Sequence, residues 1–356
     1  MLCILVYYRA AAFTGSAGEI VMFKDLFAYL RTDDWLDSKV PFMLAIALIF
    51  SLYSHCNSSC LKTYYTVAAF FLYISMFLAF SYVINDFTDM QIDKKAGKQK
   101  VMYRLPKPIV VVSMAFIFFL GIIPMLCITQ EKAIFVGYSL VLYLTGAAYS
   151  VHWLLRFKER GLIGLIECSV AQRCLPLVAL FFLYNIDVAS FSVMIALSFI
   201  NGLRYILIHQ AVDYENDIKT GVRTFVSQGH NKYRSFIISA FILECILFLG
   251  IFIRLGMDYL WVLAAALFYV IFEKIIATVV TRYMNVDLFC TFVAVPLEAL
   301  YNCVFPLTIA MILTVIHVEY LGFVAFLLLL SFKSIKGKLA FISVYAQSKM
   351  RRNTVK

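Results

Sequence analysis

The sequence predicts an all-α integral membrane protein, a bundle of nine or ten transmembrane helices, and three observations carry that expectation. Of its 356 residues, 63% are hydrophobic and 15% charged, against roughly half apolar and a quarter charged in a soluble domain. Several apolar stretches run for about 20 residues, the length a helix rising 1.5 Å per residue needs to cross a hydrocarbon core of roughly 30 Å. Lys and Arg, finally, are rich in alternate connecting loops, as in polytopic proteins.

Residues 1–21 hold a short apolar run broken by Tyr7, Tyr8 and Arg9, only superficially like a secretory leader. Met22 opens a cleaner amphipathic stretch, Phe23 to Trp35, so a natural start at Met22 is an expectation that intact-mass measurement tests. Residues 1–39 are assigned to an N-terminal cytoplasmic segment. Nine apolar spans follow at 40–56, 64–84, 108–128, 133–151, 161–183, 188–210, 235–254, 258–281 and 299–316. A tenth, at 319–332, is shorter and has Glu319 at its edge. The membrane domain is thus set at 40–332, followed by a basic tail, 333–356.

Six Lys and Arg lie between the second and third spans, three between the fourth and fifth, and four between the sixth and seventh, with at most one in each intervening loop. The positive-inside rule therefore places the N-terminus and the three rich loops in the cytoplasm, with the cell inner membrane as the expected location. The tail joins them if the tenth span crosses; a tail lying on anionic headgroups is the alternative. In a soluble protein a net charge of +10 would suggest nucleic acid. Here the basic residues flank apolar spans, so membrane lipid is the expected partner and nucleic acid is not. The nine cysteines are scattered, with Cys56 and Cys60 the only close pair, and no spacing suits zinc or a redox centre. They read as packing residues.

At the cytoplasmic end of the second span the chain reads Asn85-Asp86-Phe87-Thr88-Asp89-Met90-Gln91-Ile92-Asp93. Positions 85, 89 and 93 are four apart and share one helical face, with Asp86 beside them. The sixth span ends in Asp213-Tyr214-Glu215-Asn216-Asp217, where Asp213 and Asp217 again share a face. A single such motif reads as solvated loop charge; two at the same membrane depth point to Mg2+, which takes a few carboxylates, waters and the oxygens of a phosphate substrate. A diphosphate bridged by metal between two acidic faces is the expectation.

Lys94, Lys95, Lys98, Arg104, Arg156, Lys158, Lys219 and Arg223 lie in the same loops and supply the other half of a diphosphate site. Arg156 and Lys158 stand out because they follow Tyr149-Ser150 in a short loop facing the acidic pair, where they could neutralise a departing diphosphate. Glu167, Arg173, Arg204, Glu244, Glu273 and Lys274 fall inside or at the edge of apolar spans, where an unpaired charge costs at least about 2.5 kcal/mol. Structural ion pairing is expected for all of these except Arg204, which lies on the way to Asp213.

These residues, in this order, resemble the UbiA superfamily of intramembrane prenyltransferases. Its NDxxDxxxD pattern is matched by Asn85, Asp86, Asp89 and Asp93, and its second motif by Asp213 and Asp217 with Gly221 and Thr224 as the G-x-x-T continuation. Tyr149-Ser150 with Arg156 and Lys158 resembles the loop between the family's fourth and fifth helices. Two departures stand out: Arg104-Leu105-Pro106 where many members have Arg-Pro, and Arg31-Thr32-Asp33-Asp34-Trp35 where Arg-Pro-x-x-Trp is usual. Both touch acceptor identity.

The resemblance implies helices around a central cavity open to lipid, with two Mg2+ ions and an isoprenyl diphosphate under cytoplasmic loops. Asn85, Asp86, Asp89, Asp93, Asp213 and Asp217 would bind metal. Asn85, Asp86, Tyr149 and Arg223 would hold substrate, Arg156, Lys158 and Lys219 would stabilise the leaving group, and Arg204 would line a polar neck. The implied reaction is prenyl transfer to a lipophilic, aromatic or quinone-precursor acceptor. Prenyl cyclisation and phosphoribosyl transfer to a polyprenyl phosphate use the same acidic site, and a membrane transporter is the non-enzymatic alternative.

Overall fold

The computed structural model describes residues 24–54, 59–95, 97, 99–151, 155–228, 233–256, 271 and 300–332. The expected start at Met22, the eighth span with Glu273 and Lys274, and the basic tail lie outside them. Among the described residues the chain is helical, and its contacts divide it into two units, one within Met1–Trp35 and Phe50–Leu263, the other within Leu36–Ile49 and Ala264–Lys356.

In the first unit a short helix α1 (24–29) leads to the end of α2 (Val40–Ser54), then α3 (Cys60–Lys95), α4 (Lys107–Ile128), α5 (Lys132–Ser150), α6 (Leu162–Phe182), α7 (Val188–Val212), α8 (Tyr214–Thr220) and α9 (Tyr233–Gly256). Among the described residues six helices, α3 to α7 and α9, are long and apolar enough to cross a membrane. Lipid as solvent explains α9. Ile238, Ile242, Ile246, Leu249 and Ile253, three or four apart, form an exposed stripe, while Ile237, Glu244, Phe248 and Ile251 are buried. Water would not tolerate such a stripe.

The length of α3 positions the chemistry. Its 36 residues extend about 54 Å, well beyond the roughly 30 Å of hydrocarbon, so its polar C-terminal turns stand clear of the bilayer with the first acidic motif on them. It packs along α4, and Gly121 allows the approach: a Cβ there would meet the Tyr143 hydroxyl at 2.8 Å and Met76 Cβ at 2.9 Å. Gly202 does the same for α7 against Ser169 and Arg173 of α6.

The second unit holds the first part of α2, α10 (Phe305–Ile316) and α11 (Val318–Phe332). Phe42 packs edge-on against Tyr301 at 4.9 Å. A π turn, Leu300–Val304, precedes Pro306, as another, Val170–Cys174, precedes Pro176 in α6. Proline lacks an N–H and clashes with the carbonyl four residues back, so the helix widens there. In α10 the released carbonyl, Asn302 O, accepts from Ser331 Oγ at 2.9 Å. The 15 residues of α11 span about 22 Å, short of a full crossing at right angles to the bilayer.

Candidate active site

The overhang of α3 presents its acidic residues in two directions. Asp86 and Asp93, both buried, share Lys100: its Nζ lies 2.6 Å from Asp86 Oδ1 and 2.6 Å from Asp93 Oδ2. Lys100 reaches back because the loop after α3 turns through a 3-10 segment, Val101–Arg104, which also brings Tyr103 OH to donate to Asp93 Oδ2 at 2.7 Å. Burial, then the hydrogen bond and charge of Asp93, hold the Tyr103 phenol well above its ordinary pKa, so it stays a donor. Arg31, with φ +52°, donates to Asp86 Oδ1 at 2.9 Å and to Asp34 at 2.7 Å, its guanidinium 4.9 Å from the centre of the Tyr82 ring.

Asn85 and Asp89 look toward the loop after α5. Ser150 Oγ donates to Asn85 Oδ1 at 2.9 Å, Lys158 Nζ to the same oxygen at 3.2 Å and, more tightly, to Asp89 Oδ2. Arg156 Nη2 lies 3.5 Å from Asp89 Oδ1, a buried atom that has no hydrogen-bond partner among the described residues. Burial lowers the pKa of the Lys158 ammonium, and the charge and hydrogen bond of Asp89 work against that loss. Arg156 and Lys158 therefore face the acidic motif, where the sequence expects them.

The second acidic segment is built differently. The chain breaks at Asp213, which ends α7 and caps α8, so Asp213 and Asp217 do not form one continuous helical face. The Asp213 carboxylate, 46% exposed, leans on His209 Nδ1 at 3.1 Å, whereas Asp217 is buried and accepts from Thr224 Oγ1 at 3.0 Å. Gly221, φ +73°, makes the fold-back: Val222 N donates to Asp217 O at 2.9 Å and Gly221 N to Ile218 O at 3.3 Å, closing the end of α8. Thr224 then bridges to Gly161, tying this segment to the Lys158 loop.

The family model described as "UbiA prenyltransferase family" matches residues 40–288, more than half of the sequence. The chain belongs to the UbiA prenyltransferase family. It is a multi-pass membrane enzyme of that family, a prenyltransferase. Solved structures share its fold. A UbiA homologue from Archaeoglobus fulgidus bound to DMAPP and Mg2+ is 17% identical, with a TM-score of 0.56 over 84% of this chain and 98% of that one. The same homologue bound to GPP and Mg2+ gives 17%, 0.54, 85% and 99%. A structure described for digeranylgeranylglyceryl phosphate synthase gives 18%, 0.52, 85% and 99%. No curated protein matches the chain.

In this UbiA chain several expected residues stand elsewhere. Arg204 makes a tight, fully buried ion pair with Glu244 of α9 instead of opening toward Asp213, because a charge in the membrane interior is drawn to the nearest opposite one. Lys219 is 76% exposed and 3.9 Å from Glu215, and Arg223 is exposed. Among the described residues no three His, Cys, Asp or Glu side chains converge on a single metal position. Lys100 and Tyr103 were missed as site residues: in a loop with six basic residues, spacing cannot say which one folds back. Arg31 was seen only as part of a motif; its ion pair with Asp86 spans 55 positions and leaves no local trace.

Proposed function

We propose that this chain transfers a prenyl group from an isoprenyl diphosphate to an aromatic or quinone-precursor acceptor within the membrane, with Mg2+. The observation that carries the reading is the pairing of Asn85 and Asp89 with Ser150, Arg156 and Lys158 at the mouth of the bundle. Carboxylates that meet both guanidinium and ammonium groups at one membrane face form a two-sided receptor: the acids suit a hard cation, the bases suit phosphate oxygens. Mg2+ needs only one or two carboxylates beside phosphate and water, and the buried, unbonded Asp89 Oδ1 is an oxygen ready for it. Asn85 and Asp89 would hold Mg2+ on the side that faces Arg156 and Lys158, Asp86 and Asp93 are the further candidate ligands of this segment, and Asp213 and Asp217 would contribute from the other. When bound, Mg2+ supplies charge neutralisation of the diphosphate.

The side chains have divided tasks. Lys158 and Arg156 orient the diphosphate and meet the charge that builds on it as its bond to the allylic carbon breaks. Lys100, Tyr103 and Arg31 fix Asp86 and Asp93 from the opposite side, so the acidic face keeps its shape as the phosphate enters. The site opens to the cytoplasm, in keeping with the positive loops that carry it, and an inner cell membrane is its expected home. The related structures with DMAPP or GPP and Mg2+ support the donor class. The test is diphosphate release by purified protein with geranyl, farnesyl and geranylgeranyl diphosphates, with and without Mg2+ and a panel of aromatic acids and quinols. Mg2+- and acceptor-dependent release, lost in Asp89→Asn and Asp213→Asn, is expected. Release independent of any acceptor would overturn the transfer reading in favour of cyclisation.

A further inference from the structure

Asp86 and Asp93 are both buried and stand about two turns apart on α3, so their like charges need a cation between them. Lys100 supplies it, with Nζ at 2.6 Å from Asp86 Oδ1 and 2.6 Å from Asp93 Oδ2. Each of these oxygens also has a donor of its own. Arg31 Nη1 donates to Asp86 Oδ1 at 2.9 Å, and the Tyr103 hydroxyl donates to Asp93 Oδ2 at 2.7 Å. Arg31 and Tyr103 therefore hold one acid each, while Lys100 joins the two.

Two carboxylates joined in this way are also a pair that Mg2+ can take, since it commonly binds through one or two carboxylates. Formal charge decides whether ammonium and ion can be there together. Arg31 also serves Asp34, at 2.7 Å, so three carboxylates, those of Asp34, Asp86 and Asp93, face two cations, and the cluster carries one net negative charge. Mg2+ added beside Lys100 would leave a net positive charge, with an ammonium pressed against the ion. Mg2+ exchanged for Lys100 leaves the cluster neutral. The side chain is also placed to leave: it is 25% exposed, against 4% and 9% for Asp86 and Asp93, and its charge rides on a flexible four-carbon stem. The loop need not follow it, because Tyr103 stays on Asp93 and its own N–H donates to Lys100 O at 3.1 Å.

We propose that Lys100 is a positioning residue that keeps the place of Mg2+ between Asp86 and Asp93 and yields it when the ion binds. The inference rests on the Mg2+-dependent reading above and deepens it, since the ion reaches these two carboxylates only by exchange. The placeholder does two things. It keeps the buried acids together before the ion arrives, and it weakens the ion's hold by the contacts that must break, so the metal stays exchangeable.

The test measures Mn2+ binding to purified protein without donor, by electron paramagnetic resonance, and thermal denaturation in EDTA and in saturating Mg2+. Lys100→Met should bind Mn2+ about tenfold more tightly than wild type, the scale of a hydrogen bond to a charged group that no longer has to be broken. Lys100→Arg, which keeps the charge, should stay near wild type. Lys94→Met removes an equal charge nearby, from an ammonium 5.6 Å from the centre of the Tyr103 ring, and should change the affinity less than about twofold. The melting temperature of Lys100→Met should fall below wild type in EDTA and match it in Mg2+, because the ion then joins the carboxylates in both proteins. A Lys100→Met that binds Mn2+ no more tightly, or whose melting deficit is the same in EDTA and Mg2+, makes Lys100 a fixed tether and overturns the proposal. If Lys100→Met does not fold in EDTA, Lys100→Gln is read in the same way, and failure of both to fold even in Mg2+ also overturns it. If neither wild type nor Lys100→Met binds Mn2+, with or without inorganic diphosphate, the Mg2+ reading falls and this one with it; if wild type binds and Lys100→Met does so equally well, this one alone is removed.

Discussion

Asp86, Asp89 and Asp93 stand on the overhang of a 36-residue helix and are met by Arg31, Lys100, Arg156 and Lys158, whereas Asp213 and Asp217 straddle a helix break and are met by a histidine and a threonine. Similar runs of acids are thus held by different physics. In the first, buried or nearly buried carboxylates need counter-charge, and long-range ion pairs supply it. In the second, Asp213 is solvated and Asp217 is held by a cap that its own segment makes. The first segment should therefore couple activity to stability, and the second should govern activity with little effect on stability.

The largest effect expected is that of Asp89→Asn. It removes the anion facing Lys158 and Arg156, and should lower the transfer rate by about 10²–10³-fold, the scale of losing one electrostatic contact in a preorganised site. Because the two cations are left without it, thermal denaturation should also show a loss, on the order of 3 kcal/mol. A rate loss with no change in melting temperature would break the comparison. Lys100→Met tests the same coupling from the basic side. Lys100 is a quarter exposed, so the stability cost is discounted to about 1–2 kcal/mol, with a fall in rate of about tenfold as Asp86 and Asp93 move apart. Thr224→Val should cost the rate several-fold by removing the hydroxyl that donates to Asp217, with a melting temperature close to wild type; a large drop in stability would place the second segment with the first.

The difference between the segments also marks what could be read in the sequence. Helices and their lipid faces were legible because 20-residue apolar runs and basic loops are local patterns, and the acidic residues fell on the helix end as their spacing of four implied. The break at Asp213 leaves no mark in the sequence, because a break of one residue leaves the composition of a helix unchanged. Lys100 and Arg31 were out of reach as site residues, since each gains its role by folding back across the chain, Arg31 over 55 positions. The place of Arg204 along the helix points to the acidic site, but rotation about the axis decides its partner, and Glu244 on α9 faces it. The shape of the G-x-x-T continuation became intelligible only with its backbone: glycine for the left-handed cap, threonine for Asp217.

Gly221→Ala gives the smallest and most specific of these effects. An added Cβ meets nothing within 4 Å, so the substitution tests backbone conformation alone. Holding a non-glycine residue at φ +73° costs about 1 kcal/mol, and the cheapest relief is to unwind the cap that turns Thr224 back to Asp217. Transfer should fall about three- to fivefold, the amount that 1 kcal/mol allows at 25 °C, with donor-analogue binding weakened in parallel. Gly221→Asn should recover most of the rate, because asparagine tolerates the left-handed region better than alanine does. If alanine and asparagine are equally harmful, the glycine serves something other than its φ angle, and the second segment is held by more than its cap.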